Sequence, residues 1–196
     1  MPLLGPPEVS WDETVTMTRA PKPLDLNGLL NYAARALSAR AQTSSELREK
    51  LKRRAARRED VEEVIGRLKD SGYLNDKRFA ESFAAWRREN EGFGKARVLR
   101  DLMARRVAPA LARQTADAAF RQADEVAMIE KFLERKYRGK DLGALLAQEK
   151  HLASAYRRLR GAGFSAGNSI RVLKRYAAEA ERLEEMEAEE GRSSEE

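Results

Sequence analysis

The amino-acid sequence predicts an all-α protein in which three tandem three-helix repeats stack into an elongated, curved body. Apolar residues recur at spacings of three and four throughout residues 26–176, and this stretch has no run of alternating β-branched residues. Its only proline, Pro109, lies where a helix can begin. The chain also resembles itself weakly, because Leu51-Lys-Arg-Arg54 aligns with Leu102-Met-Ala-Arg105 and Leu51 aligns with Leu159. Tandem helical units stack because each must bury a face against its neighbour.

The first predicted unit covers residues 26–74. Its first helix extends over residues 26–41. Thr43 begins the second, because Thr43-Ser-Ser-Glu46 is a capping box whose hydroxyl and carboxylate accept from free N–H groups. The third helix begins at Glu59 or Asp60 and ends at Asp70, before Gly72, which suits a left-handed stop.

The second and third predicted units cover residues 75–123 and 124–176. Asn75 or Asp76 caps a helix whose aromatic residues Phe79, Phe83 and Trp86 form one stripe. We predict that this stripe is buried in the core and is not a base-stacking platform. The other helices of these units are predicted around residues 98–102, 109–120, 124–133, 152–159 and 170–176.

Charge divides the chain into a basic body and two acidic ends. Residues 26–176 carry 34 lysines and arginines against 19 aspartates and glutamates, whereas the whole chain has a net charge of +6. Residues 1–25 hold five of the six prolines and are predicted to be a disordered leader, and residues 177–196 hold nine glutamates and are predicted to be an acidic tail. A basic body attracts polyanions, of which nucleic acid is the commonest. We hypothesise that the acidic tail competes for the same face.

The composition excludes several kinds of chemistry. The chain has no cysteine and a single histidine, His151, which excludes disulfides, thiolate catalysis and sulfur-ligated zinc. Gly163-Phe-Ser-Ala-Gly167 spells the nucleophile motif G-x-S-x-G, but a helical segment precedes it and no histidine follows, so a turn between helices is the better interpretation. The acids Glu59, Asp60, Glu62 and Glu63 suit a helix start better than a metal site. We therefore expect no enzymatic activity, no cofactor and no metal.

The longest uncharged run has ten residues, from Gly161 to Ile170, which is too short to span a membrane. The first residues lack the basic and apolar regions of a signal peptide. We therefore expect a cytoplasmic protein without a membrane partner.

Basic residues recur near the end of the second helix in each predicted unit. One such cluster is typical of a solvated helix end, where cations meet the negative end of the macrodipole. Recurrence in all three units favours contact with a nucleic-acid backbone or an acidic protein surface. The predicted binding residues are Arg53, Arg54, Arg57, Arg97, Arg100, Arg105, Arg157 and Arg158.

Three segments resemble the RecX family of recombinase regulators, namely Thr43 to Leu51, Leu68 to Ala80 and Arg87 to Leu102. The most specific part is Gly72-Tyr-Leu-Asn-Asp-Lys-Arg-Phe-Ala80, which matches the family pattern G-Y-[LI]-[ND]-D-x-R-F-A. The resemblance covers about residues 28–176. It implies tandem three-helix units and a non-enzymatic role, in which the protein binds the RecA filament on single-stranded DNA and restrains its ATPase, strand-exchange and repressor-cleaving activities.

The partners that the resemblance implies are the RecA nucleoprotein filament and single-stranded DNA, with duplex DNA as an alternative, and we expect a monomer. A helix-turn-helix transcription regulator is the alternative function, because it would also be basic and all-α. Such a regulator would discriminate one duplex sequence strongly. A hydrolase is a third interpretation, which metal-dependent turnover would establish.

One departure from the family concerns the turns after the second helices. The family usually has glycine there, whereas this chain has Ala55, Arg106 and Gly163. A left-handed turn without glycine costs roughly 1 kcal/mol. We therefore expect a different turn geometry at Ala55 and Arg106.

Overall fold

The computed structural model describes residues 22–177 and confirms the all-α class. This part of the chain contains ten α-helices and no strand beyond a one-residue bridge between Leu24 and Ala55. None of these helices is long and apolar enough to cross a bilayer. The predicted acidic tail from residue 178 and nearly all of the predicted leader lie outside the described residues. The helices are α1 Leu26–Ala39, α2 Ser44–Lys52, α3 Glu59–Asp70, α4 Asp76–Glu89, α5 Lys95–Ala104, α6 Pro109–Phe120, α7 Glu125–Lys136, α8 Leu142–Leu146, α9 Glu149–Gly161 and α10 Ala166–Leu173.

The starts of α2 and α4 follow the sequence signals. Thr43 and Glu46 form the predicted capping box, and the Asn75 side chain accepts from the backbone N–H of Arg78. The first helix ends two residues earlier than predicted, because Arg40 is already extended and the Gln42 amide donates to the carbonyl oxygen of Ala36. That side-chain bond satisfies a carbonyl that a helix end leaves free.

The aromatic stripe of α4 is only partly buried. Phe79 is buried, Phe83 is half-buried and Trp86 is 50% exposed, so the prediction of a fully buried stripe is wrong for Trp86. The buried arc of α4 also includes Ala80 and Ala84. At 100° per residue this arc is centred away from Trp86, which therefore lies at its margin.

The third predicted unit contains a short helix that the sequence analysis missed. This helix, α8, begins after Asp141, whose side chain accepts from the backbone N–H of Ala144, and it packs on α9. An aspartate three residues before a helical N–H is a recognisable cap, but five residues are too few for a periodic apolar pattern. The unit therefore has four helices instead of three.

The apolar core consists of three clusters of buried side chains. They are centred on Leu47, Leu51 and Val64 in the first cluster, on Phe79, Val98 and Leu102 in the second, and on Leu133, Leu159 and Phe164 in the third. Phe93 packs against both the second and the third cluster. The buried residues of the clusters fall within the three predicted units except Ala177, which belongs to the third cluster and follows the third unit. The boundaries of the units stay a prediction.

The helices α2, α5 and α9 share one kind of junction at their carboxyl ends. The carbonyl oxygen three residues after the buried leucine always receives a hydrogen bond from another part of the chain. Leu24 N–H donates to the Arg54 oxygen at 2.6 Å, the Thr43 hydroxyl to the Arg105 oxygen at 2.9 Å, and Gly94 N–H to the Ala162 oxygen at 2.9 Å. Hence α5 ends at the start of α2, and α9 ends at the start of α5.

The residue that follows each of these carbonyl groups differs in backbone conformation among the three turns. Arg106 has φ 58° and Gly163 has φ 92°, whereas Ala55 has no positive φ. The expectation that the turn is not left-handed is therefore confirmed at Ala55 and wrong at Arg106. At Gly163 an added Cβ would lie 2.2 Å from the Arg97 nitrogen, and at Gly94 an added Cβ would lie 2.4 Å from the Gly163 oxygen. The two glycines let α5 and α9 meet backbone to backbone.

Candidate nucleic-acid interface

The eight predicted binding arginines differ in exposure. Five are exposed and three are half-buried. Because an arginine that already holds an internal partner is less free to bind a phosphate, the contacts of each side chain decide its role. The exposed ones are Arg53, Arg57, Arg100, Arg157 and Arg158, and the half-buried ones are Arg54, Arg97 and Arg105.

Arg53 lies at the junction between α2 and α5. Arg53 is the C-cap residue of α2. A hydrogen bond from Lys52 has the largest effect in lowering the pKa of the exposed carboxyl of Glu49, and the charges of Arg106 and Arg53 lower this pKa further. The Arg106 guanidinium lies 3.9 Å from Glu49. This junction therefore gathers three cations around one carboxylate and keeps an excess of positive charge at the surface.

Arg105 has an internal role at the same junction. Its Nε lies 2.7 Å from Glu46 Oε1 and its Nη2 lies 3.1 Å from the carbonyl oxygen of Ala41. Its guanidinium also stacks on Phe79, with 4.9 Å between Cζ and the ring centroid. Burial acts to raise the pKa of Glu46, but hydrogen bonds from Arg105 and from the Thr43 backbone outweigh it and hold that pKa below its ordinary value. Arg105 thus holds α5 against α2, and a further role in binding stays a prediction.

Arg97 and Arg100 lie at the junction between α5 and α9. Arg100 donates to the carbonyl oxygen of Gly161 at 3.1 Å, and Arg97 pairs with Asp101 at 3.0 Å while lying over the ring of Phe93. The structure therefore brings these two arginines beside the carboxyl end of α9. Arg157 is one helical turn before Gly161 in the same helix, and Arg158 lies over the ring of Tyr137.

Arg54 and Arg57 have partners within the first unit. Arg54 lies over the ring of Tyr32 at 5.5 Å, and Arg57 pairs with the buried carboxylate of Asp60 at 3.0 Å. The side chain of Arg57 is still 72% exposed. The predicted set is thus distributed over two junctions and the first unit.

Two grooves follow the boundaries between units, and the sequence analysis identified neither. The first groove, of about 580 Å³, lies between α1 and α4 and includes Tyr73, Arg78, Trp86 and Arg105 in its lining. The second groove, of about 860 Å³, lies between α6 and α7. Its cations are Arg88, Arg121, Lys131 and Arg135, and its acids are Glu89 and Asp124.

Arg135 of α7 lines the second groove and connects α7 to the turn after α4. Its guanidinium donates to the carbonyl oxygens of Asn90 and Glu91, at the turn that contains Gly92 with φ 65°. Arg121 and Lys131 are exposed and have no partner among residues 22–177, so both remain available to an anion. Sequence reasoning missed them because they follow α6 or lie in α7, away from the second helices.

The serine of the G-x-S-x-G motif has a structural role. Ser165 precedes α10, and its hydroxyl donates to Glu125 Oε2 at 2.6 Å while its backbone N–H donates to Glu125 Oε1 at 2.8 Å. Burial raises the pKa of Glu125, but these bonds and one from Asn168 outweigh it, so the pKa lies below its ordinary value. The interpretation as a turn is confirmed, and Glu125 caps α10 from α7.

Three of the four acids at the start of α3 are held in ion pairs with arginine. Asp60 pairs with Arg57, Glu62 with Arg48 at 2.7 Å, and Glu63 with Arg67 at 2.5 Å. Within residues 22–177, no group of three or more histidines or acids is arranged to hold a metal ion.

Two family models match the chain. Residues 30–68 match the model of the first three-helix domain of RecX, and residues 75–115 match that of the second. The chain is 34% identical over 120 residues to "Regulatory protein RecX" of Trichlorobacter lovleyi. The aligned region covers 61% of this chain and 77% of that protein. It is 36% identical over 142 residues to the protein of the same name from Deinococcus radiodurans, covering 72% of this chain and 64% of that one.

Solved structures support the same fold. The crystal structure of RecX from Lactobacillus salivarius superimposes with a TM-score of 0.59 at 20% identity, covering 77% of this chain and 96% of that one. A second structure, titled regulatory protein RecX, superimposes with a TM-score of 0.56 at 18% identity, covering 75% and 72%. At these identities the likeness concerns the fold alone.

Proposed function

We propose, from the premise that this chain belongs to the RecX family of regulatory proteins, that it binds the RecA nucleoprotein filament on single-stranded DNA. Bound there, it inhibits the ATPase, strand-exchange and co-protease activities of RecA and so modulates DNA repair, recombination and the SOS response. In this proposal the protein acts as a cytoplasmic monomer and has no enzymatic activity of its own.

The observation that supports the proposal is the positive charge of residues 26–176, in a chain that belongs to a family of regulatory proteins. Residues 26–176 have 34 basic side chains against 19 acidic ones. A nucleoprotein filament presents phosphates, to which such a body is attracted over about a Debye length. Several weak contacts along one filament add through effective concentration, so no single tight site is required.

The arginines have different roles in this proposal. Arg53, Arg57, Arg157 and Arg158 are exposed electrostatic anchors, whereas Arg105 holds α5 against α2 and Arg97 pairs with Asp101 within α5. Arg100 does both, because it is exposed and also bonded to Gly161. An arginine fork suits this task because it donates two parallel hydrogen bonds to a phosphate.

The test is the ATPase rate of RecA on single-stranded DNA while this protein is titrated in, with binding to the DNA alone as the control. Inhibition well below one molecule per RecA protomer supports control of filament growth. Inhibition only near saturation supports occupancy of the filament groove or competition for DNA. An unchanged ATPase rate at saturating protein contradicts the proposal, and tight binding to one duplex sequence would then favour a helix-turn-helix transcription regulator.

A further inference from the structure

The first groove has an unusual combination of aromatic surface and positive charge. Tyr73 is 73% exposed and Trp86 is 50% exposed, and these are the two most exposed large apolar side chains in residues 22–177. Both line the groove. Exposed aromatic side chains that converge on one groove are characteristic of binding surfaces, since burial would otherwise stabilise the fold.

The floor of this groove is made of packed side chains. Phe79 and Phe83 stack with 5.7 Å between ring centroids and 16° between ring planes, and Arg105 lies over both rings. Arg105 is in turn held by Glu46. The exposed Trp86 is on the same helix as the stacked pair, so its position is fixed by a packed helix and not by a loop.

The charges that line the groove have one sign. They belong to Arg78 and Arg105, and no carboxylate is among the lining residues. Arg78 is exposed and donates one N–H to the carbonyl oxygen of Gly72 at 3.1 Å, and its other donors have no partner among residues 22–177. Ser82 and the amide of Asn75 add polar groups at the edge. Aromatic faces beside cations match a base attached to its phosphate.

We propose that the first groove binds an unstacked base of single-stranded DNA, which stacks on Trp86 and Tyr73 while Arg78 contacts the adjacent phosphate. This inference rests on the proposed function, because it assigns a site to the DNA strand on which RecA assembles. Duplex DNA does not fit, since its bases are paired and stacked within the helix. The lining favours DNA over an apolar protein segment because such a segment would leave the Arg78 guanidinium without a counterion, whereas Arg105 already has Glu46.

The experiment compares two probes with equal numbers of phosphates, a dT20 oligonucleotide and a 20-residue abasic deoxyribose-phosphate strand. The chain has two tryptophans, so a Trp11→Phe background leaves Trp86 as the only one. We expect dT20 to quench the fluorescence of Trp86 and to bind more tightly than the abasic strand. Trp86→Leu should lower dT20 affinity roughly 5- to 150-fold, the range that stacking of one base spans, and leave abasic affinity unchanged.

Two variants control for effects on folding and surface hydrophobicity. Trp86→Phe retains an aromatic face and should restore most of the dT20 affinity. Met103→Ala removes another exposed apolar side chain, on α5 and outside the groove, and should change neither affinity. Both variants and Trp86→Leu should keep the melting temperature of the parent, because the substituted side chains are substantially exposed.

Equal affinity for the two probes, or unchanged dT20 affinity in Trp86→Leu, overturns the inference. If Trp86→Leu instead loses RecA inhibition while dT20 affinity is unchanged, the groove binds a protein surface and only the proposed function survives. If the parent protein inhibits RecA but binds neither probe, the inference of a base site fails and the proposed function survives. If it binds dT20 in the expected way but has no effect on RecA, the base site stands and the proposed function fails.

Discussion

Arg105 of α5 and Glu46 of α2 form a two-point ion pair, with 2.7 Å between Nε and Oε1 and 3.1 Å between Nη2 and Oε2. Glu46 simultaneously closes the capping box of α2, because its Oε2 accepts from the Thr43 N–H at 3.2 Å. The same carboxylate therefore completes a local helix start and joins two helices through residues that are 59 positions apart in the sequence. The start of α2 and its contact with α5 depend on each other.

Arg105→Ala should destabilise the fold by about 2 kcal/mol, which lies between the values for exposed and buried ion pairs. The substitution also removes the stacking on Phe79 and leaves the half-buried Glu46 without its main partner. Urea denaturation of Arg105→Ala, Glu46→Gln and the double variant measures the coupling, which we expect to be about 1 kcal/mol. Additive effects of the two substitutions would show that the pair is not energetically coupled.

Stability should fall in acid through Glu46. Its pKa is lower in the folded protein than its ordinary value of 4.5, so the folded state favours the ionised form. This contribution is fully present above pH 4.5 and is lost as the pH falls through the folded-state pKa. The melting-temperature difference between the parent and Glu46→Gln should therefore be largest near neutral pH and shrink below pH 4.5. A difference that is constant from pH 7 to pH 3 would contradict this.

Arg106→Gly should stabilise the protein by roughly 1 kcal/mol, because glycine adopts the left-handed backbone at φ 58° without the steric cost that arginine has. The ion pair with Glu49 that this substitution removes is long and exposed, so its removal offsets little of the gain. Ala55→Gly is the matched control at the equivalent turn, where φ is not positive. There glycine should lower stability by about 0.5–1 kcal/mol. Equal effects at both positions in urea denaturation would refute the assignment of strain to Arg106.

Charge reversal of an exposed anchor should weaken binding to DNA. Arg53→Glu removes an exposed cation whose side chain makes no hydrogen bond or close ion pair among residues 22–177 and acts only weakly on Glu49, so the fold should tolerate it. We expect lower affinity for dT20 and a salt dependence shallower by about 0.7 in log–log slope for each phosphate that the variant no longer neutralises. Arg113→Glu is the control, with the same charge change at an exposed position of α6 outside the predicted set. If both variants weaken binding equally, net charge alone determines affinity.

Deletion of residues 178–196 should raise affinity for single-stranded DNA at low salt, because the segment contains nine glutamates and two arginines. The deletion begins after Ala177, which is buried in the third core cluster and is retained. The gain should disappear at high salt, where charges are screened. Unchanged affinity at low salt would remove the hypothesis that the tail competes for the basic body.

Local signals in the sequence were sufficient for most helix starts, because a cap such as Thr43 or Asn75 acts within four residues. They were insufficient for Trp86, since burial depends on which neighbour covers each side of α4. They were equally insufficient for Arg105, which looked like any other basic residue at a helix end. Its partner Glu46 is 59 residues away, and no periodic pattern connects the two.

The sequence also favoured a single basic face, whereas the structure distributes the arginines among internal and exposed positions. Arg97 and Arg105 have carboxylate partners, and Arg54 lies over a ring. Which arginine has an internal partner depends on tertiary contacts that composition does not encode. Which arginines are exposed was therefore not predictable residue by residue, and their role in binding stays a prediction.

The recurring carbonyl junctions give the array of units a polarity. At one end Leu24 already occupies the oxygen of Arg54, so the chain's own upstream segment terminates the series. At the start of α9 the corresponding donor, the Gln148 N–H, is already bonded to the Leu145 oxygen. All three junctions therefore point the same way, because each carbonyl oxygen accepts from a segment that precedes its own helix in the chain.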